Sequence, residues 1–177
     1  DEEYKKYLKE KIPTLKPVFE KDGTITAANA SKNADGGCAM VLMKESLAKE
    51  KGLTPIARIR GFADAEIDTI DFSIAPASAI NKLLKKVNLK MSDIDAFEIN
   101  EAFAGVALAN MKLLGIKHDK INLHGGAVSI GHPIGMSGAR IILSLVNVLQ
   151  ATNGKVGVAA ICNGGGGSSS VCIERLI

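Results

Sequence analysis

The chain alternates short apolar runs with longer segments in which apolar residues recur at helical spacing. Ile80, Leu83, Leu84 and Val87, for example, fall on one face of a helix that Pro76 is expected to open. Such alternation indicates an α/β layer structure, because the helices can then cover the sheet formed by the runs. We therefore predict one sheet covered by helices, without an internal repeat or a linker to a second domain.

Six segments are predicted to be strands, of which "CAMVLM" at 38–43 and "VGVAAIC" at 156–162 are apolar enough to be buried. The six segments lie at 38–43, 57–67, 96–99, 121–126, 156–162 and 169–177. The last two are joined by a tight glycine-rich connection, which favours an antiparallel pair added at the sheet edge. Helices are predicted at 44–52, 76–87, 101–114 and 139–149, and "GHPIGMSG" at 131–138 is predicted to be a loop. None of the apolar runs is judged long enough to span a membrane.

Charge and aromatic content argue against a nucleic-acid partner. The 22 basic and 19 acidic residues leave a net charge of +3, which is small and dispersed along the chain. Aromatic residues make up 4% of the chain and tryptophan is absent, so no platform for stacking bases is visible. We expect neither nucleic acid nor membrane as a partner.

The cysteines and the first residues of the chain indicate where in the cell the protein is located and whether the sequence is part of a longer one. Cys38, Cys162 and Cys172 form no CxxC motif and no pairing framework, which is typical of a reduced, intracellular protein. The opening "DEEYKKYLKEK" is highly charged and lacks methionine. We expect it to be a cut inside a longer protein, with any targeting segment out of view.

Three polar residues stand where predicted strands run out. Asn100 follows "AFEI", His132 follows "INLHGGAVSIG", and Cys162 ends "VGVAAIC". Ligands of open α/β sheets gather where neighbouring strands end, so these side chains are candidates for one site. An imidazole near a thiol makes thiolate available near neutral pH. The glycines after Cys162 leave backbone N–H groups bare, able to donate to a developing oxyanion.

Each of these residues also has an ordinary structural explanation. A cysteine at a strand end is more often a small buried apolar residue than a catalyst. An asparagine before a helix is usually a cap, and a histidine between glycines is usually a loop residue. The glycine cluster could be a tight hairpin or a phosphate cradle, although no GxxxxGK[ST] motif is present.

Two further candidate sites are disfavoured by the sequence. His118, His124, His132 and Cys162 are potential metal ligands, but no pair of them has the spacing typical of zinc sites. Cys38 is a potential nucleophile, but it lies at the start of a predicted buried strand, which favours a structural role.

Three motifs together resemble those of the thiolase family. "NEAF" at 100–103, "GHPIGMSGAR" at 131–140 and "CNGGGG" at 162–167 occur in the order and spacing of the C-terminal half of thiolases. "DGTITAANAS" at 22–31 and "GGAVSIGHP" at 125–133 extend the resemblance to nearly the whole chain. "DFSIAP" and "ICNGGGG" are most similar to the mitochondrial-type members that act on acetyl-CoA. The resemblance implies a five-stranded mixed sheet flanked by helices, with 1–23 as a charged segment from the preceding half and 24–177 as the C-terminal domain.

The resemblance also implies a reaction and a set of residue roles. Thiolases condense two acetyl-CoA to acetoacetyl-CoA, or run the thiolytic reverse, through an acyl-cysteine. His132 matches the histidine that activates the nucleophilic cysteine, and Asn100 matches the residue that holds a water in the same oxyanion hole. Cys162 matches the acid/base cysteine, and the N–H of Gly164 matches a donor of the second oxyanion hole. Ser31 matches a position that contacts the pantetheine arm of CoA.

Cofactors, partners and location follow from the same resemblance. No cofactor is required beyond the CoA substrates, although main-chain oxygens of Ala27, Ala28, Ala30 and Val128 match a potassium site. The nucleophilic cysteine belongs to the N-terminal half, and no cysteine of this chain matches its motif, so these 177 residues alone are expected to be inactive. The complete protein is expected to be a tetramer that acts in lipid and ketone-body metabolism in the mitochondrion, or alternatively in the cytoplasm.

Two rival functions remain open. One is a degradative 3-ketoacyl-CoA thiolase acting on longer acyl chains, and the other is a CoA-binding or assembly module without catalysis.

Overall fold

A computed structural model describes residues 3–177 and contains one mixed sheet of four strands. The strands are β1 (Ala57–Glu66), β2 (Ala96–Ile99), β3 (Val156–Cys162) and β4 (Gly167–Arg175), in the order β1-β4-β3-β2. β4 is antiparallel to both β1 and β3, whereas β2 and β3 are parallel. The α/β class is thus confirmed, but the expected count of five strands is wrong.

Backbone conformation and the side chain of Asn122 explain why the run at 121–126 forms no strand. Asn122 and Gly125 have φ angles of 47° and 86°, which bend the chain away from an extended path. Only Ile121 pairs with β2, through a single parallel bridge to Phe97. Beyond it, the amide of Asn122 replaces the backbone ladder by accepting from the Ile99 N–H and donating to the Ile99 carbonyl, both at 2.9 Å.

The run at 38–43 also forms no strand among the described residues. Val41 and Leu42 are 85% and 70% exposed, so this apolar segment lies on the surface instead of in the sheet. It lines one side of a cavity of about 830 Å³, which we call the apolar groove. Residues 53–59 and the side chains of Ile142, Leu143 and Val146 also line the apolar groove.

Helices cover both faces of the sheet. The helices are α1 (Glu45–Glu50), α2 (Ala75–Val87), α3 (Ala104–Leu114), α4 (Ala127–Ile130) and α5 (Ile134–Ala151). Alternation along the strands divides the core between the two faces. Phe97, Val158 and Cys172 pack with residues of α2 and α3, whereas Ala96, Ala159 and Ile173 pack with residues of α5. Short 3-10 turns occupy Glu3–Lys6 and Lys9–Thr14 of the segment 1–23, of which residues 1 and 2 lie outside the described part.

The helix α5 begins five residues earlier than predicted. The sequence "GHPIGMSG" was expected to be a loop to residue 138, but the helix starts at Ile134. Pro133 precedes it in an extended conformation, and its carbonyl accepts from the N–H groups of Met136 and Ser137 at 2.9 Å. The proline therefore ends the loop and supplies the first helical acceptor.

By length and composition, α5 is apolar enough to cross a membrane. This differs from the expectation that no apolar run of the chain reaches that length. The helix packs against the sheet through Ile141, Leu145, Val148 and Leu149, each at most 2% exposed, so it is a core helix of this fold.

The connection between β3 and β4 requires glycine at one of its four consecutive glycine positions. The hairpin itself is confirmed, but it lies inside the sheet and not at its edge, because β4 also pairs with β1. Gly166 has a φ of 93°, and a Cβ atom there would lie 2.2 Å from the carbonyl oxygen of Ile67. Only glycine fits that backbone conformation and that approach.

A Gly166→Ala substitution is therefore expected to destabilise the fold. Both the positive φ and the clash with main chain contribute, and the loss should be about 2 kcal/mol or more. Chemical unfolding of the variant and the wild type measures it. Gly164→Ala is the matched control, because a Cβ at that position would meet no atom within 4 Å. Equal stability of the two variants would contradict the assignment.

Candidate functional site

Asn100 and His132 meet at the end of the parallel strand pair. Asn100 follows β2, and its N–H donates to the carbonyl of Ala160 on β3 at 3.0 Å. His132 is reached from the other side, where its N–H donates to the carbonyl of Lys32 at 2.8 Å. The two side chains then contact each other, with Nδ2 of Asn100 3.3 Å from Nε2 of His132. Two of the residues expected at one site are thus brought together.

Arg140 determines which end of the Asn100 amide faces His132. It lies on α5, is 7% exposed, and donates from Nη2 to Oδ1 of Asn100 at 3.0 Å. A guanidinium only donates, so the atom it contacts must be the amide oxygen. The NH2 end of the amide is therefore directed to the imidazole.

Ser137 determines the tautomer of His132. The Ser137 hydroxyl donates to the carbonyl of Pro133 at 3.0 Å, and its oxygen lies 2.6 Å from Nδ1 of the imidazole. Because the hydroxyl proton is already used, Nδ1 must be the donor of that contact. Nε2 then carries the lone pair, in agreement with the NH2 group of Asn100 that faces it.

We expect Ser137→Ala to weaken this tautomer preference. The variant removes the acceptor for Nδ1–H, and a hydrogen bond of this kind contributes about 1 kcal/mol, so both neutral tautomers should become populated. Nitrogen-15 NMR of labelled histidine distinguishes the two forms by the shifts of Nδ1 and Nε2. Ser129→Ala serves as the control, since the Ser129 hydroxyl donates to the carbonyl of Gly126 and does not contact His132. An unchanged Nδ1–H signature in Ser137→Ala would contradict the assignment.

The surroundings of His132 favour its neutral form. Burial lowers the pKa of the imidazole, and the positive charge of Arg140 lowers it further. A neutral imidazole with its lone pair on Nε2 is able to accept a proton at that atom.

Glu98 is a buried carboxyl group behind this site, and sequence reasoning missed it. It lies on β2, is 1% exposed, and its Oε2 is 3.6 Å from Nη1 of Arg140. Burial raises the pKa of Glu98 to about 8; Arg140 lowers that pKa and Glu101 raises it. Arg140 and Ser137 were missed as well. The available signals were a glutamate inside the strand "AFEI" and an arginine inside an apolar helix, since charged residues are rarely buried unless they are paired.

Cys162 and Gly164 lie at the neighbouring end of β3. The Cys162 thiol is half-buried, and burial raises its pKa. Within residues 3–177, no hydrogen bond joins this thiol to Asn100 or His132. It nevertheless lies on the same strand as Ala160, two positions beyond the residue that accepts from Asn100.

The main chain around Gly164 leaves one N–H available. The N–H of Asn163 donates to Gly167, that of Gly166 donates to Asn163, and the Asn163 side chain accepts from the N–H of Gly165 at 2.9 Å and of Gly167 at 3.4 Å. In this stretch of the described chain, only the Gly164 N–H has no acceptor, and the residue is exposed. That donor is the one expected to face a substrate oxygen.

Ser31 lies beside the motif "NEAF". Its N–H donates to the carbonyl of Ala102 at 3.0 Å, and the preceding Ala30 forms an antiparallel bridge with Phe103. The segment that carries Ser31 is therefore fixed to the start of α3, close in the chain to Asn100.

Four residues were expected to hold a potassium ion, and a lysine reaches two of them. Ala27, Ala28 and Val128 line one cavity of about 620 Å³ together with Lys32. The Lys32 Nζ donates to the carbonyl of Ala27 and, at 2.7 Å, to the carbonyl of Ala30. A carbonyl cradle already in contact with an ammonium group does not fit a resident metal ion.

Comparisons with known proteins show the family to which the chain belongs. A family model described as thiolase, C-terminal domain, matches residues 53–175, and one described as thiolase, N-terminal domain, matches residues 1–46. A probable acetyl-CoA acetyltransferase of Dictyostelium discoideum is 59% identical over 99% of the chain and 42% of its own length. The mitochondrial acetyl-CoA acetyltransferase of Rattus norvegicus is 55% identical over 99% of the chain and 41% of its own length.

Solved structures include the Acat5 thiolase from Ascaris suum in complex with coenzyme A. It superposes with a TM-score of 0.95 at 48% identity, covering 99% of this chain and 46% of that one. The chain thus spans about two fifths of the length of the curated relatives it matches.

Proposed function

Because the chain belongs to the thiolase family, we propose that it supplies half of the site of an enzyme that condenses two acetyl-CoA to acetoacetyl-CoA, or catalyses the thiolytic reverse. The observation that carries this proposal is the contact between Asn100 and a His132 whose lone pair lies on Nε2. Identities of 55–59% to proteins named acetyl-CoA acetyltransferase support the choice of acetyl-CoA.

In the first half of the reaction, His132 acts as the base. Its Nε2 accepts the proton of a nucleophilic cysteine, which we place outside these 177 residues, while the sulfur attacks the acetyl carbonyl. The imidazolium then donates to the thioester oxygen, and a water held by Asn100 donates to the same oxygen. CoA leaves with a proton, and an acetyl-cysteine remains.

In the second half of the reaction, Cys162 acts as the base. Its thiolate removes an α-proton of the second acetyl-CoA, and the carbanion attacks the acetyl-cysteine carbonyl, which forms the new carbon–carbon bond and releases the cysteine. The exposed N–H of Gly164 stabilises the thioester oxygen on which negative charge develops. We place the pantetheine arm of CoA beside Ser31.

The rest of the protein is expected to cover the apolar groove. Val41, Leu42 and Ile56 of its lining are 85%, 70% and 50% exposed, and contiguous exposed apolar side chains mark interaction sites. The lining comes from both ranges matched by the two family models. We propose the N-terminal thiolase half as its occupant, and a tetramer as the complete assembly. We also infer a mitochondrial location, because the rat relative is a mitochondrial acetyl-CoA acetyltransferase.

A substrate panel tests the proposed function. The full-length protein is assayed for thiolysis of acetoacetyl-CoA and of 3-ketoacyl-CoA substrates with progressively longer chains. We expect acetoacetyl-CoA to be preferred, and no turnover by the 177-residue chain alone. A preference for long chains would indicate a degradative 3-ketoacyl-CoA thiolase, and a full-length protein that binds CoA without turnover would indicate a binding module.

A further inference from the structure

The turn at residues 26–30 presents main-chain oxygens to the side chain of Lys32. The N–H groups of Asn29 and Ala30 donate to the carbonyl of Thr26, and the side chain of Asn29 accepts from the N–H of Thr26. The N–H of Ala28 donates to the Thr26 hydroxyl at 3.2 Å, so four N–H donors of this turn are satisfied within it. The carbonyl oxygens of Ala27 and Ala30 accept instead from Nζ of Lys32.

We propose that the Lys32 ammonium replaces the monovalent cation at this cradle, so that the protein needs no potassium there. An ammonium carries the same single charge as a potassium ion and has three N–H donors for carbonyl oxygens. Ala28 and Val128, which supply the other expected oxygens, line the same cavity. A second cation at this position would be repelled by the ammonium and would find two oxygens already engaged.

The main chain of Lys32 also contacts the loop that carries His132. The carbonyl of Lys32 accepts from the N–H of His132 at 2.8 Å, and the adjacent Ser31 is bonded to the carbonyl of Ala102. The main chain of Lys32 therefore lies between the motif that carries Asn100 and the loop that carries His132. The Lys32 ammonium, by binding the turn at 26–30, therefore also helps to position the segments that carry Asn100 and His132.

Thermal unfolding in different salts tests the inference. The full-length wild type, Lys32→Met and the control Lys11→Met are compared in potassium chloride and in tetramethylammonium chloride at equal ionic strength. Lys11 lines the same cavity, so its substitution makes the same change of charge without touching the carbonyls of Ala27 and Ala30. We expect the wild type and Lys11→Met to have the same Tm in both salts. Lys32→Met should lose about 3 °C or more in tetramethylammonium and regain it in potassium, because a ligand that binds only the folded state raises the Tm.

Two results would overturn the inference. One is a rise in the Tm of the wild type with potassium as large as that of Lys32→Met. The other is a Lys32→Met variant that is as stable as the wild type and indifferent to potassium. If Lys32→Met does not fold, Lys32→Gln takes its place. The change in the Tm of the wild type between the two salts also tests the inference, because a wild type stabilised by potassium would contradict it. The readout is stability and not turnover, so its outcome is independent of the proposed reaction.

Discussion

A Cys162→Ser substitution in the full-length protein is expected to slow exchange of the α-protons of acetyl-CoA by about 10³-fold, the scale of a lost general base. A hydroxyl is a far weaker acid than a thiol, so serine provides almost no anion near neutral pH. Acylation of the nucleophilic cysteine should persist, because His132 and Asn100 are unchanged. Exchange is measured by mass spectrometry of acetyl-CoA in D₂O, and acylation by the burst of free CoA.

The control for this experiment is Cys38→Ser. It makes the same sulfur-to-oxygen change at a half-buried thiol that contacts the carbonyl of Met136 at 3.9 Å. Normal α-proton exchange in Cys162→Ser would refute the base assignment, and a loss of acylation would mean that the attacking sulfur is Cys162 itself. In the wild type, exchange should rise with pH through the neutral range, since burial keeps the pKa of Cys162 above its usual value.

Glu98→Gln is expected to remove a pH dependence of stability on the order of 3 kcal/mol between pH 5 and pH 8. The carboxyl of Glu98 has an ordinary pKa of 4.5, and burial raises it to about 8 in the folded state. Between these values the folded protein binds more protons than the unfolded chain. This contribution to stability is therefore fully present below pH 4.5 and is lost as the pH rises through about 8.

Urea unfolding of the wild type and the variant across this pH range measures the effect. Stability of Glu98→Gln relative to the wild type should increase with pH, whatever its absolute value at pH 5, because glutamine does not titrate. Glu66→Gln, at an exposed position on β1, is the control and should leave the pH profile unchanged. Parallel profiles for the wild type and Glu98→Gln would show that Glu98 is already ionised in the folded protein.

The sequence pattern predicted four of the five helices and all four strands, because burial on one face leaves a regular pattern; it missed the short helix α4 and predicted two strands that do not form. The helix opened by Pro76 follows this pattern, with Ile80, Leu83 and Leu84 in the core. The prediction of a strand at 121–126 was wrong because the side-chain amide of Asn122 makes the hydrogen bonds to Ile99 that a paired strand would make. The prediction of a strand at 38–43 was wrong because its apolar residues line the apolar groove on the surface and do not join the sheet.

The candidate site was predicted only where residues of known chemistry stand at strand ends. Asn100 was found in this way, at the end of β2. His132 was expected to follow a strand, but it lies between α4 and α5, and the structure still joins its side chain to Asn100. The residues that orient them could not be found from spacing, because their roles depend on contacts between distant parts of the chain. Arg140 lies forty positions from Asn100, and the side chain of Lys32 acts through main-chain oxygens that carry no residue-specific signal.

The position of β4 between β1 and β3 affects how the protein is synthesised. β4 follows the other three strands of the described sheet, yet both antiparallel ladders depend on it. On the ribosome, β1 must therefore wait for more than a hundred residues to be made before its partner emerges, with its pairing groups uncovered. Only the β2–β3 pair can form earlier. The β1–β4 ladder closes in a late step over a long stretch of chain, so the unpaired β1 is exposed to aggregation and to chaperone binding until β4 is made.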